Sequence, residues 1–259
     1  MSNTKNKYIL FNKNIKISLL ITTLAGLTTT LGIIPCFFKI KKQDNLIANI
    51  LAFASGVMIT ISLISLIPEA TNLLNEKYKS FPALIICTIF IVIGILLSTL
   101  IDNKTEKYKK DNLYKLGIMA SLALMLHNIP EGITTFITSS LNQELGYKLA
   151  LAITLHNIPE GLSIAIPIYY STKSKLKAFK YTFISGFSET FGAIIAYIFL
   201  KDIITPQLLS IILAITAGIM IDISIYEFLP TSYKYKKNKV TFMYFVLGII
   251  LMFFIELAI

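Results

Sequence analysis

Residues 127–132 read HNIPEG, and residues 156–161 read HNIPEG again. The hexapeptide returns after 29 positions, and the two copies hold both histidines of a 259-residue chain. Each copy lies inside a long apolar run, 116–140 for the first and 146–170 for the second. A helix needs about 20 apolar residues to cross a hydrocarbon layer about 30 Å thick. At 1.5 Å per residue, about 12 residues carry the chain from the motif to the membrane surface, a few turn it, and about 12 bring it back. The interval therefore reads as one helical hairpin, with both motifs near the membrane midplane on adjacent antiparallel helices.

Six further runs flank the hairpin, at 17–38, 45–68, 82–101, 179–200, 206–229 and 240–259. With 55% hydrophobic residues, 15% charged residues and a mean hydropathy of +0.71, they predict an all-α polytopic membrane protein of eight transmembrane helices. The longest connection, 102–115, is short and charged. A single transmembrane domain over 1–259 follows, with no separate soluble domain. The first run follows four lysines, as a signal peptide would, but it is too long for a signal h-region and no small-residue cleavage site follows. It reads as a retained first helix. Cys36 and Cys87 each lie within an apolar run, which argues against a disulfide framework and against a thiolate metal cluster.

The net charge of +10 comes with 24 lysines and no arginine, gathered in short clusters between the runs. That is loop charge rather than a nucleic-acid-binding face. Sixteen lysines belong to the loops after runs 1, 3, 5 and 7 and eight to the other side. Cytoplasmic loops carry the lysine excess, so both termini are expected outside the plasma membrane, although the four leading lysines pull weakly the other way. Tyr147, Tyr169, Tyr170 and Tyr181 fall at predicted helix ends, where tyrosine anchors at headgroups.

A second repeat lies in runs 2 and 7. GVMITISLISLIP, 56–68, aligns without gaps on GIMIDISIYEFLP, 218–230. An offset of five helices is odd, so the copies cross the membrane in opposite directions. This is the pattern of an inverted repeat of helices 1–3 on helices 6–8 around the helix 4–5 hairpin, a construction found in transporters.

Within each hexapeptide, helical spacing puts His127 and Glu131 on one face with Asn128 beside them, and His156, Asn157 and Glu160 repeat the arrangement. Imidazole, amide oxygen and carboxylate suit a divalent transition metal, and carboxylates at membrane depth call for a partner or an aqueous path. Pro130 and Pro159 lack an N–H and crowd the carbonyls of Leu126 and Leu155, which predicts a kink beside the ligands. Gly132 and Gly161 remove bulk next to the glutamates, which lets helices or an ion come close. Glu189, in SGFSETFGA, reads either as a structural hydrogen-bond partner or as a third carboxylate that lets the site hold two ions. Asp222 reads either as a further buried carboxylate of the site or as a packing or proton-linked group outside it, Glu69 and Glu227 as solvated residues near helix ends, and Met58 as a thioether ligand or a core residue.

On these residues the chain resembles the ZIP family of zinc- and iron-regulated metal importers, of the bacterial zinc-uptake type. The resemblance covers nearly the whole chain: eight helices, the paired HNIPEG, SGFSETFGA, and the Glu227-Phe-Leu-Pro ending of run 7. It implies two neighbouring ion positions. One is formed by His127, Glu131, His156 and Glu160, with Met58 as a further candidate. The other takes Asn128, Asn157 and Glu189, with Glu131 and Glu160 bridging. It also implies transported Zn2+, or Fe2+, Mn2+ or Cd2+, as substrate with no resident cofactor, extracellular termini, and a bilayer as the other partner; a homodimer stays open as the assembly. Many members carry a histidine-rich loop after helix 3, where this chain is lysine-rich, and some place an aspartate at the position of Asn157.

The expectation is therefore import of a divalent transition metal into the cytosol through a midplane binuclear site, without enzymatic activity. Softness of the ligands disfavours Mg2+ and Ca2+ but does not order the transition metals. The rival of a different class is an intramembrane zinc hydrolase, in which one glutamate serves as base. Against it, the HExxH pattern is absent and the inverted repeat belongs with transport. An exporter differs only in direction.

Overall fold

Inside a bilayer no water satisfies a backbone N–H or C=O, so a helix that bonds internally is the natural spanning unit for runs this apolar. The computed structural model describes residues 2–38, 42–105, 112–199 and 205–257. Among them are eight helices long and apolar enough to span: α1 (Ile15–Phe37), α2 (Gln43–Asn75), α3 (Ser80–Leu100), α4 (Leu113–Ser140), α5 (Gln143–Thr172), α6 (Lys175–Phe199), α7 (Pro206–Tyr235) and α8 (Lys239–Leu257). The predicted helix ends at 200 and 259, and Lys39, Lys41, Lys107, Lys109, Lys110 and Lys201, fall outside the described residues.

Three departures from the predicted bounds have local causes. The C-terminal end of α1 is not α-helical but a ten-residue 3-10 stretch, Thr28–Phe37, which ends past Pro35. In α2 and α7 the expected stops at Pro68 and Pro230 are not stops: the helices run on to Asn75 and Tyr235. Each proline is preceded by a π-helical turn, Ile61–Leu66 in α2 and Ile223–Phe228 in α7, and stands in the first turn of the α-helix that follows. At the start of a helical segment a missing N–H removes little. The two π-turns begin five residues after Gly56 and Gly218, so the repeat seen in sequence is also a repeat of backbone geometry. Ser62 and Ser224 even donate to equivalent carbonyls, those of Met58 and Met220.

The packing follows the same inverted scheme. Helix α2 packs along α8 as α7 packs along α3, and α2 meets α5 as α7 meets α4. Helices α1, α4, α5 and α6 pack on one another as a group of four, and α2 also packs on α7. Lipid tails are as apolar as leucine, so close backbone contact, not burial of oily surface, holds such helices together. Gly56 lies against the Phe245 carbonyl of α8, and Gly218 against the Ile91 carbonyl of α3. Ser55 donates to Ser224 O at 2.9 Å and Ser210 to Ala70 O at 2.8 Å, tying α2 to α7 at two levels.

Between α4 and α5 the chain reverses at Asn142, whose side chain caps α5 by accepting from Leu145 N at 3.2 Å. Asn142 lies fifteen residues after His127 and fourteen before His156, which is the hairpin expected from the 29-residue interval. Cys36 and Cys87 are buried free thiols. Tyr147 is exposed, but Tyr170 is buried and Tyr181 bonds Tyr114 hydroxyl to hydroxyl at 3.1 Å, so these two pack inward instead of anchoring at the surface.

Adding a side chain at the α7–α3 crossing tests this packing. Gly218→Val drives its Cβ into the Ile91 backbone, an overpacking that costs about 1–3 kcal/mol or more. Gly117→Ala meets chiefly the flexible end of Ile168 and is expected to cost less. Thermal unfolding in detergent measures both, and equal melting temperatures for the two variants contradict the crossing described.

Candidate functional site

The hairpin delivers its two polar hexapeptides to one place. His156 Nε2 stands 2.7 Å from Glu131 Oε1, and His127 Nε2 stands 3.7 Å from Glu131 Oε2 and 3.6 Å from Glu160 Oε1. One donor atom from each of His127, His156 and Glu160 fits within a span of 4.8 Å. His127, His156 and Glu160 are buried and Glu131 is nearly so. Both nitrogens of His127, both oxygens of Glu160 and Glu131 Oε2 have no hydrogen-bond partner. Buried polar atoms are normally satisfied, so this many orphans with converging lone pairs describe a cradle for a cation.

Beside it lies a second polar group. Asn157 Nδ2 donates to Glu189 Oε1 at 2.5 Å and to the Ala25 carbonyl at 3.0 Å, and Asn128 Nδ2 donates to the Ser185 carbonyl at 3.0 Å. The amide nitrogens being used in this way, Oδ1 of each asparagine is left over, as is Glu189 Oε2. All three residues are fully buried. Seven of the eight residues singled out in sequence thus gather around α4, α5 and α6. Met58 lies on α2, fully buried in an apolar cluster that also takes in Leu124 of α4 and Ile164 of α5.

The two prolines and two glycines have sharper roles than their sequence suggests. Helices α4 and α5 run without interruption through Pro130 and Pro159. Gly132 gives clearance to α6, lying against the Glu189 carbonyl, and Gly161 gives it to α1, lying against the Thr29 carbonyl. The bare Cα atoms serve these outer neighbours, so the glutamate preceding each glycine is brought beside a different helix.

A cavity of about 180 Å³ adjoins His127, Glu131 and His156. Ser65, Glu69 and Glu256 also line it, so Glu69 does more than face solvent at a helix end. Glu256 drew no notice in sequence because one acidic residue near the end of an apolar run carries no pattern. A second cavity, about 360 Å³, is lined by Ser98, Thr99, Asp222 and Glu227. Each cavity borders one of the two π-turns, Ile61–Leu66 for the first and Ile223–Phe228 for the second. Glu69 and Glu256 come near the C-terminal ends of α2 and α8, whereas Ser98, Thr99 and Glu227 come near those of α3 and α7. Even- and odd-numbered helices end on opposite faces, so the cavities approach the hairpin from opposite sides.

Comparison with known proteins gives a consistent result. The family profile described as "ZIP Zinc transporter" matches residues 102–256. A protein of Clostridium perfringens named "Zinc transporter ZupT" is 36% identical over 92% of this chain and 94% of its own length. A protein of the same name from Chlorobium luteolum is 36% identical over 92% and 96%, and one from Streptococcus mutans 34% identical over 90% and 94%.

Exchange of Asn157 tests the second polar group. Asn157→Asp removes two donors and sets a carboxylate against Glu189; lost buried bonds cost about 1–3 kcal/mol, at about 2–4 °C per kcal/mol for a chain this size. The melting temperature in chelator is expected to fall by several degrees and to recover on adding Zn2+ by more than the parent gains. A variant that melts like the parent in chelator would falsify the Asn157–Glu189 contact.

Proposed function

This chain belongs to the ZIP zinc transporter family, and on that premise we propose that it carries zinc across the plasma membrane into the cytosol through the cluster at the α4–α5 hairpin. The observation that carries the proposal is the convergence of His127, Glu131, His156 and Glu160 within a few ångströms of one another, buried and, apart from the His156–Glu131 bond, without hydrogen-bond partners. Two imidazoles and two carboxylates match the borderline softness of Zn2+ and leave Fe2+, Mn2+ and Cd2+ as further substrates. A bound cation offsets what two carboxylates cost at membrane depth.

The second ion position is formed by Oδ1 of Asn128 and Asn157 and by Glu189, with Glu131 and Glu160 bridging. Two neutral amide oxygens and one unshared carboxylate beside the two shared ones make a weaker cradle than the histidine-bearing position. An ion that steps from one to the other thus moves from a stronger to a looser grip. The cavity bearing Glu69 and Glu256 supports an approach from one face, since acidic walls raise the local cation concentration. The cavity bearing Asp222 and Glu227 supports departure toward the other. The lysine asymmetry assigns these faces to the outside and the cytosol, with both termini outside.

Uptake of radioactive zinc into proteoliposomes tests the reading. Even residues that only support a ligand are worth about 10–100-fold, so His127→Ala and Glu131→Ala are each expected to lower uptake at least about tenfold; undiminished uptake by both removes the transport role. Orientation is tested by impermeant thiol labelling of intact cells. Lys77→Cys is expected to be labelled and Lys237→Cys protected, both positions being exposed in the structure, and the reverse pattern inverts the assigned topology.

A further inference from the structure

The inverted repeat extends into the ion site itself. AGLTTTLG of α1, 25–32, aligns without gaps on SGFSETFG of α6, 185–192. Several contacts that these segments make with the hairpin and with each other are paired. Asn157 donates to Ala25 O at 3.0 Å as Asn128 donates to Ser185 O at 3.0 Å. Gly161 lies against Thr29 O as Gly132 lies against Glu189 O, and Gly26 and Gly186 each touch the other's carbonyl. Thr28 and Ser188 hydroxyls both donate at 2.5 Å to the carbonyl three residues back. Within this paired frame the charged residue stands on one side alone: where α6 has Glu189, α1 has Thr29.

The two side chains occupy equivalent places. A methyl group added at Gly26 would lie 2.9 Å from Glu189 Cβ, and one added at Gly186 would lie 3.0 Å from Thr29 Cβ. Glu189 therefore stands over Gly26 beside the Glu131-Gly132 step, and Thr29 stands over Gly186 beside the Glu160-Gly161 step. The Thr29 hydroxyl is also unlike its neighbours. Thr28 and Thr30 donate to their own helix, at 2.5 Å to Ala25 O and 2.6 Å to Leu27 O. Thr29 is fully buried, and its Oγ1 has no partner. Ser185 and Thr190 of the paired α6 segment also leave buried hydroxyls without a partner, and a buried hydroxyl left unbonded beside the ion site is open to a partner that is not part of the protein.

We propose that Thr29 is a specificity-determining residue of the second ion position: its hydroxyl oxygen faces the cation opposite Glu189, and as a neutral donor it holds that position one carboxylate short of the symmetric arrangement. This rests on the transport site assigned above. The deficit keeps the second position looser than the first, which favours onward release of the ion. A carboxylate at position 29 would be met by the Asn128 amide as Glu189 is met by Asn157, and would turn the second position into a tight store.

Equilibrium zinc binding to the purified full-length protein, together with zinc uptake, tests the assignment. Thr29→Val keeps the shape and loses the oxygen, Thr29→Ser keeps the oxygen and loses the methyl, and Thr29→Glu restores the missing carboxylate. The expected pattern is a several-fold weaker second binding event in Thr29→Val, a parent-like one in Thr29→Ser, and at least tenfold tighter binding with slower uptake in Thr29→Glu. Parent-like binding by Thr29→Val overturns the proposal, as does a loss in Thr29→Ser equal to that in Thr29→Val, which marks a packing role. Thermal melts in chelator identify any variant that fails to fold, and Thr29→Ser, the smallest change, then decides alone against the parent. His127→Ala serves as the separate control: if it binds and transports zinc as the parent does, the transport-site reading fails, whereas loss there with parent-like Thr29→Val removes Thr29 alone.

Discussion

Four helices can share one polar centre only if their backbones touch, and glycine against carbonyl is the contact that permits it. Gly132 on α6 and Gly161 on α1 bring the hairpin into van der Waals range of both flanking helices. Any Cβ at either place meets a main-chain oxygen, which cannot move away as a flexible side chain does. Because the glycine follows directly on Glu131 or Glu160, the distance that closes the helix crossing also sets the distance from carboxylate to its neighbours. Packing and ligation are thus one constraint, and the hexapeptide keeps them in register by spacing them one residue apart.

That constraint explains why the polar residues are tolerable in so apolar a chain. The asparagines spend their amide nitrogens on carbonyls of α1 and α6, which fixes each amide and turns its oxygen inward. The glutamates face the histidines of the opposite helix, Glu131 toward His156 and Glu160 toward His127. The result is a cluster in which the asparagine amide protons are used by the protein, while carboxylate and amide oxygens and imidazole nitrogens are left over. Two π-turns, each beside a cavity on its own side of the hairpin, complete an arrangement that is inverted about the membrane midplane. The symmetry is broken at Thr29 and Glu189, where α6 brings a carboxylate and α1 a hydroxyl.

Much of this was legible from residue types. Eight apolar runs, a duplicated motif holding both histidines, and an interval matching one hairpin are properties of the chain in one dimension, since helix rise and bilayer thickness convert residue number into depth. Glu189 was visible as a carboxylate in an apolar run. Glu256 and Thr29 were not, because neither residue is unusual for its place and each gains meaning only from what lies across from it. Thr29 had a signal that a direct alignment of 25–32 on 185–192 reveals, and the weaker similarity of α1 to α6 hid it behind the clearer match of α2 to α7.

The order of helices, their length, the depth of the metal-binding residue types and the inverted relation of the two halves were determined by the sequence alone, because each depends only on local hydrophobicity and on counting along a helix. Only the tertiary structure decided which helix each glycine serves, that Pro68 and Pro230 sit within continuing helices behind π-turns, and what lies across from Thr29. Those outcomes depend on rotation of one helix against another. Rotation is set by backbone contacts between residues more than a hundred positions apart, such as Thr29 with Gly161, and no periodicity within a single run records it.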